Sequence, residues 1–413
     1  MTFPNWVGTA ANAKPSVGGE SKQRVQAVDV LRGLALIGML LVHFQYYVHD
    51  DGIWSQRVNH AVDFIAVNRF YPLFAILFGT GFTLQFTRWG ERPGFAAMYL
   101  RRLSALMGFA VLLIGLTGYK VLEAYAFWGL AVVAVRRWSN RAIIALALCC
   151  AFAPALVDFA TWEWDKRHLT LEESNAKASR EIRYWPDYNA AADRLRDEGT
   201  FTELITFRLK GVFGQYLRWR TYVPGDPLMM FLIGMLSVRL SIFQDLLRYR
   251  KLLIALIVFG VFAGVMSEFA GRWVDFSGVS FRLAMGYRKV LYAIFDERFQ
   301  GIAYASALLL AMAHYPAVQH AMRFLAYAGR LSLTNYVVQV SILEILFATK
   351  TPIIPLNRWG ALIGVVVVFA MQIAFSRWWI TRYRYGPMEW LWRSITFAKL
   401  EPLRRERMHA AAA

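Results

Sequence analysis

The stretch AVDVLRGLALIGMLLVHFQYYVHDDG, residues 27–52, decides how the chain is read. Its apolar run is long enough to cross the hydrocarbon core of a bilayer as a helix, for which about 20 residues are needed. Inside it stand Asp29, Arg32 and His43, and an ionisable group at membrane depth is costly unless it is paired or hydrated. Arg32 and His43 are eleven residues apart, close to three helical turns, so both project from nearly the same face, about 16 Å apart along the axis. One helix face therefore links a membrane surface to the membrane interior.

The rest of the chain agrees with this reading. Of 413 residues, 57% are hydrophobic and only 18% charged, whereas a water-soluble globule carries roughly 25% charged residues. Disorder is excluded as well, because a chain this apolar does not stay solvated. The formal charge of +18 reads as basic cytoplasmic loops of an integral membrane protein rather than as a nucleic-acid surface. Cys149 and Cys150 are adjacent in an apolar run, where a disulfide would be strained and metal chelation would lack partners. No cleavable signal is expected at the polar, glycine-bearing N-terminus.

Ten apolar stretches are candidate spans: 27–48, 64–86, 103–118, 121–135, 142–160, 228–243, 252–270, 301–314, 331–348 and 360–380. With a cytoplasmic N-terminus, every second connection should be basic. Arg88, Arg92, Arg101 and Arg102 follow the second span, Arg136, Arg137 and Arg141 the fourth, and Arg239, Arg248, Arg250 and Lys251 the sixth. Arg323 and Arg330 follow the eighth, and the tail after the tenth is again basic. The expected fold is an all-α, polytopic membrane helix bundle of about ten transmembrane helices with both termini cytoplasmic, in a bacterial inner membrane. It divides into a cytoplasmic segment 1–26, a transmembrane domain 27–398 with extracytoplasmic loops 161–226 and 271–300, and a basic tail 399–413. Within the first loop, 172–208 has helix-forming residues with Tyr184, Trp185 and Tyr188 interspersed, and either caps the bundle or serves as a solvated linker.

Several polar residues stand where polarity is expensive. Asp29 and Arg32, at i and i+3, can pair with each other, and an interfacial arginine can also snorkel or bind phosphate. His43 sits among Leu41, Val42 and Phe44, and imidazole is the usual proton carrier near neutral pH. His49, Asp50, Asp51, His60 and Asp63 follow the first span, but their spacing matches no compact metal motif, so no metal is predicted. His60 is an alternative general base. Asn68, Arg69, Lys120 and Glu123 are further inward-facing candidates, and Asn335 and Gln339, at i and i+4, share a helix face. Each of that last pair could bind a polar ligand or another helix.

Four motifs, DVLRGLALIGMLLVHF (29–44), FYPLFAILFGTGF (70–82), GRLSLTNYVVQ (329–339) and YGPMEWLWRSIT (385–396), resemble the YeiB-like family of bacterial membrane proteins, the domain of unknown function 418. That family is related to transmembrane acyltransferases, the acyltransferase three group and the lysosomal heparan acetyltransferase among them. Those enzymes move acyl groups from cytoplasmic coenzyme A to extracytoplasmic acceptors. The acyltransferase three group carries an arginine, ten residues and a histidine in its first span, a spacing that Arg32 and His43 fit. Many YeiB-like members have asparagine at the position of His43. Where they show a D-I-L-x-x-Y pattern opening the fourth span, this chain reads KVLEAY, with Lys120 in place of the aspartate and Tyr125 retained.

The resemblance implies an acyl-coenzyme A dependent O- or N-acyltransferase, with acyl- or acetyl-coenzyme A as donor substrate and a glycan, lipid or small-molecule acceptor. His43, or His60, would be the base, Asn335 or Gln339 would steady the oxyanion, and Arg32, with Asp29 and Arg69, would hold the donor. A covalent acyl-histidine is the other route. Membrane lipids and the acceptor are the expected partners, with no nucleic acid and with self-association into a homo-oligomer left open. A proton-coupled transporter or flippase is the rival reading, since intramembrane His, Arg and Asn also suit a transport pathway.

Overall fold

The computed structural model describes residues 20–45, 52–218, 222–270, 280–347 and 357–404. Among these the chain is helical, with no strand beyond one isolated bridge between Tyr383 and Arg404. The helices are α1 (Glu20–Gln45), α2 (Ile53–Ile65), α3 (Tyr71–Trp89), α4 (Phe95–Thr117), α5 (Leu122–Val135), α6 (Asn140–His168), α7 (Leu171–Glu198), α8 (Phe201–Tyr216) and α9 (Asp226–Arg239). They continue with α10 (Arg250–Ala270), α11 (Phe281–Ile294), α12 (Glu297–His314), α13 (Pro316–Ala321), α14 (Arg323–Arg330), α15 (Ser332–Phe347), α16 (Arg358–Arg382) and α17 (Pro387–Phe397).

Five helical segments are long and apolar enough to cross a membrane: Gln26–Gln45, Phe95–Thr117, Asn140–His168, Arg250–Phe269 and Arg358–Arg382, with Leu122–Val135 and Ser332–Leu346 as shorter apolar helices. Each of the ten apolar stretches read from the sequence falls largely on a helix. The second of them starts later than expected, at Tyr71. Pro72 occupies the first turn of α3, where its fixed φ and missing N–H suit a helix start, and it disfavours helical backbone before it. The residues ahead form a separate helix, α2, and a turn in which Asn68 adopts a left-handed φ of 60°.

The α1 span is the centre of the bundle, with 72% of its most apolar window buried, against 22% in α6 and in α10. The outer helices present Leu148, Leu156, Val258, Phe262, Ile363 and Val366 outward, as a lipid-facing surface does. Close crossings hold the centre together. A Cβ on Gly33 would collide with the backbone of Leu325 and one on Gly329 with that of Asp29, so α1 and α14 meet backbone to backbone through small residues.

The first long loop is built as helices rather than as a linker. α7 and α8 each open with a capping box, Thr170 with Glu173 and Thr200 with Glu203, which satisfies otherwise orphaned amides. From α8 the buried Arg208 donates to the carbonyl of Leu116 at 2.7 Å and pairs with Glu344 of α15 at 2.7 Å. A cation at the C-terminal carbonyls of α4 is electrostatically favoured, so α8 is clamped against that end of the bundle. In the second loop, Arg282 of α11 faces Glu181, Asp165 and Asp158 at 3.0, 3.5 and 3.8 Å, tying α11 to α6 and α7. Residues 271–279 and the side chain of Trp185 lie outside the described residues.

Candidate active site

A cavity of about 320 Å³ opens beside α1 and draws its lining from all four of the motifs that carry the family resemblance. Arg32 and Met39 come from the first, Phe74, Leu77, Phe78, Gly81 and Phe82 from the second, Arg330, Ser332, Leu333 and Tyr336 from the third, and Tyr385, Glu389, Trp392 and Arg393 from the fourth. α4 adds Tyr99, Arg102 and Leu106, and the start of α5 adds Leu122 and Tyr125.

Arg102 lies within electrostatic reach of Arg393 and Arg32, and Asp29 within reach of Arg32 and Arg330, so the four guanidinium groups cluster, with Trp89, Trp392 and Phe397 beside them. The rest of the lining is largely apolar, with Met39, Phe74, Leu77 and Leu106, and includes Tyr125 and Tyr336. Four guanidinium groups stand against one carboxylate, Glu389, among the lining residues. That carboxylate is committed to the fold. It accepts from the backbone N–H of Leu333 at 2.7 Å and of Thr334 at 3.1 Å, and from the Thr334 hydroxyl at 2.5 Å. It thereby caps the first turn of α15, where unpaired amides and the helix dipole favour an anion.

The arginines are held by planar contacts. The guanidinium of Arg102 lies 3.4 Å over the Trp392 ring, and the Trp392 indole N–H donates to the Arg102 carbonyl at 2.8 Å. Arg393 lies 4.9 Å from the Tyr385 ring and 4.8 Å from that of Phe397, with Glu401 at 3.5 Å. Arg32 donates to Asp29 at 3.1 Å. Facing a low-dielectric wall, such a cluster focuses a positive potential on the mouth and suits a phosphate-bearing ligand.

His43 is buried outside the cavity lining, its ring 4.4 Å from that of Tyr119 and 6.2 Å from that of Tyr336, a lining residue. Its Nδ1 has no hydrogen-bond partner among the described residues. The same holds for the Tyr336 hydroxyl, for both amide atoms of Gln339 and for Oε2 of Glu123, all buried. Glu123 lies within electrostatic reach of Tyr336. Buried polar atoms in folded proteins are nearly always hydrogen-bonded, so this neighbourhood keeps several polar atoms free to meet a ligand or water.

The other residues singled out in the sequence are placed elsewhere. The Asn335 amide donates to the Ala328 carbonyl and to the Ser376 hydroxyl, each at 3.0 Å, and so joins α14, α15 and α16. Arg69 donates to Gln300 at 2.8 Å and to the carbonyls of Asp63 and Val67 at 2.7 and 2.6 Å, away from the cavity lining. His60 is exposed on α2. Lys120 lies in the turn between α4 and α5 with its ammonium 4.2 Å from the Tyr188 ring. Burial lowers its pKa to about 8, a shift that nearby Glu123 partly offsets. Among the described residues no group of three or more His, Cys, Asp or Glu side chains is arranged to hold a metal ion. His49, Asp50 and Asp51 lie outside the described residues.

Arg102, Arg330, Arg393, Tyr336 and Glu389 were not singled out as site residues by their local sequence. The three arginines read as loop or tail charges, and Tyr336 as one more aromatic in a span. What marked most of them was membership of the two C-terminal motifs.

Comparison with known proteins relates two stretches of the chain to family models. Residues 24–170 match the family model for the catalytic region of heparan-alpha-glucosaminide N-acetyltransferase, and residues 237–399 match the model described as protein of unknown function DUF418. The first match contains Arg32, His43 and Arg102, the second Arg330, Tyr336 and Arg393, so the cavity is assembled from both. The uncharacterized protein YxaH of Bacillus subtilis (strain 168) is 23% identical over 94% of this chain and 97% of its own length. The uncharacterized protein YeiB of Escherichia coli (strain K12) is 26% identical over 92% of this chain and 98% of its own. Over nearly its whole length the chain is therefore similar to YxaH and YeiB, with a DUF418 match in its C-terminal part and a match in its N-terminal part that relates it to the transmembrane acyltransferases.

Proposed function

We propose that this protein is a membrane acyltransferase that takes the acyl group of cytoplasmic acyl-coenzyme A through the arginine-rimmed cavity and delivers it to an extracytoplasmic glycan, lipid or small-molecule acceptor. The observation that carries this reading is the make-up of the cavity: four clustered arginines in an otherwise largely apolar lining, with His43 buried beside the lining residue Tyr336. The nucleotide phosphates of a coenzyme A thioester fit the arginine cluster, and its arm and acyl group fit the apolar lining. A cytoplasmic mouth agrees with the basic connections before α4 and between α12 and α15, and with ten spans and two cytoplasmic termini in a bacterial inner membrane. That topology is part of the same proposal.

In the reaction, Arg32 and its neighbours bind the donor phosphates, and the fork of a guanidinium suits them better than an ammonium does. His43 takes the proton of the acceptor hydroxyl or amine as that group attacks the thioester carbonyl, and returns a proton to the departing thiolate. The test is acetyl-coenzyme A presented to the purified protein in membranes that contain envelope acceptors. Release of free coenzyme A thiol, with labelled acetyl appearing on envelope material and both lost in His43→Ala, is the expected result. Flux of a substrate across liposomes without any thioester consumption would replace the enzyme by a transporter.

A further inference from the structure

We infer that Tyr336 is a catalytic residue, the donor that stabilises the oxyanion formed on the thioester carbonyl. This rests on the acyltransferase reading above. Tyr336 lines the cavity, and its ring stands 6.2 Å from that of His43. Its hydroxyl is buried and has no partner among the described residues. A phenol is normally hydrogen-bonded when buried, so we read this idle hydroxyl, on a residue of the cavity lining, as one held for a ligand atom.

The neighbours narrow the choice. The Asn335 amide is already used twice, by Ala328 and Ser376. Gln339, one turn further along α15, has both amide atoms unpartnered but does not line the cavity. Tyr336 alone among these three both reaches the cavity and keeps a free donor. The ring is also held in place: α15 is anchored at its start by Glu389, and Asn335 ties the same turn to α16 through Ser376. Such preorganisation is what makes an oxyanion donor effective.

The step balances as follows. The acceptor oxygen or nitrogen forms a bond to the thioester carbon while its proton passes to His43, and the carbonyl π pair moves onto oxygen, which accepts the Tyr336 O–H. Collapse re-forms the carbonyl and breaks the C–S bond. The sulfur leaves with the bonding pair and takes the proton from the imidazolium.

The experiment compares the full-length wild type with Tyr336→Phe, which keeps the ring and removes only the hydroxyl, and with Gln339→Leu. Turnover is measured with acetyl-coenzyme A, donor affinity by calorimetry, and the infrared band of carbonyl-labelled acetyl-coenzyme A in the bound state. Removing one oxyanion donor typically costs about 10²- to 10³-fold in kcat. Tyr336→Phe should show a loss on that scale with donor affinity within about twofold, the scale of a purely transition-state contact. Its bound thioester band should also lie at higher frequency than in the wild type. Gln339→Leu should leave the band unshifted. An active wild type with an equally active Tyr336→Phe, or a band that moves only in Gln339→Leu, overturns the assignment and leaves the acyltransferase reading intact. If Tyr336→Phe does not fold, the band shift in Gln339→Leu decides alone. A wild type that consumes no thioester overturns both.

Discussion

The indole of Trp392 and the backbone and guanidinium of Arg102 hold each other twice: the ring lies 3.4 Å beneath the cation, and its N–H donates to the Arg102 carbonyl at 2.8 Å. α17, the short helix after the last long one, is thereby fastened to α4, and one of the four cations of the cavity mouth is fixed in place. A desolvated cation–π contact is worth up to about 2 kcal/mol. Trp392→Ala should therefore weaken coenzyme A binding by about tenfold, since that factor corresponds to about 1.4 kcal/mol. Trp392→Phe, which keeps a ring face but no donor, should recover part of it. Titration calorimetry on detergent-purified protein measures both. Unchanged affinity in a folded Trp392→Ala would remove Arg102 from the donor site.

The proposed topology is tested by reporter fusions. Fusions after Arg92, after Arg137 and at the C-terminus should report cytoplasm, and fusions within 172–208 should report the outside, because basic connections are retained on the cytoplasmic side. The structure shows this segment built as the helices α7 and α8, with α8 clamped to the bundle through Arg208. An outside signal at the C-terminus would require an odd number of crossings.

Lys120, the residue that replaces the aspartate of the family pattern, gives a pH dependence. Its pKa is lowered by burial to about 8 from 10.5. Between those values the unfolded chain holds the proton and the folded chain does not, so the unfolded state binds more protons and stability rises with pH. The melting temperature should climb as pH is raised through 8 toward 10, and the climb should flatten in Lys120→Met. An identical pH profile in that variant would mean that the ammonium titrates at its ordinary value in the folded protein.

Asn335 and Gln339 were indistinguishable by spacing, but the structure separates them. Loss of a buried hydrogen bond that leaves a polar partner unsatisfied costs about 1–3 kcal/mol, and Asn335→Ala removes two such bonds, to Ala328 and Ser376. It should lower the melting temperature by several degrees while the protein that remains folded keeps kcat within about twofold, as distinct from a catalytic loss. Folded but inactive Asn335→Ala would return the residue to the chemistry.

The helical, apolar segments and the Arg32–His43 spacing were legible because both are local: they depend on hydropathy and on the period of one helix. Arg32 lines the cavity, and His43 lies 6.2 Å, ring to ring, from the lining residue Tyr336. The rest of the mouth was not legible. Arg102, Arg330 and Arg393 come from three different helices, and along the chain a substrate-binding arginine looks the same as one that only fixes orientation. Arg69 shows the converse. Its position before an apolar helix resembles a site residue, yet its donors go to Gln300 and two backbone carbonyls. Nothing in a sequence pattern distinguishes an arginine facing a cavity from one closing a corner.

His43 carries the sharpest expectation. It is buried in the most enclosed apolar helix of the bundle, three turns from Arg32, its Nδ1 has no partner among the described residues, and its ring stands 6.2 Å from that of Tyr336, which lines the cavity. General-base catalysis contributes typically about 10²- to 10⁴-fold in rate. His43→Ala and His43→Asn should therefore abolish measurable acyl transfer, and because the donor phosphates are held three turns away, coenzyme A affinity should be retained. His60→Ala is the matched control: His60 is exposed on α2 and outside the cavity lining, so its loss should leave turnover unchanged. A near-wild-type rate in His43→Ala together with loss in His60→Ala would move the base to α2 and require the acceptor to react at the outer surface rather than beside Tyr336. If both variants keep full activity in a protein that does transfer acyl groups, proton removal falls to Glu123, the remaining buried acid with an unpartnered oxygen next to Tyr336, and Glu123→Gln becomes the deciding substitution.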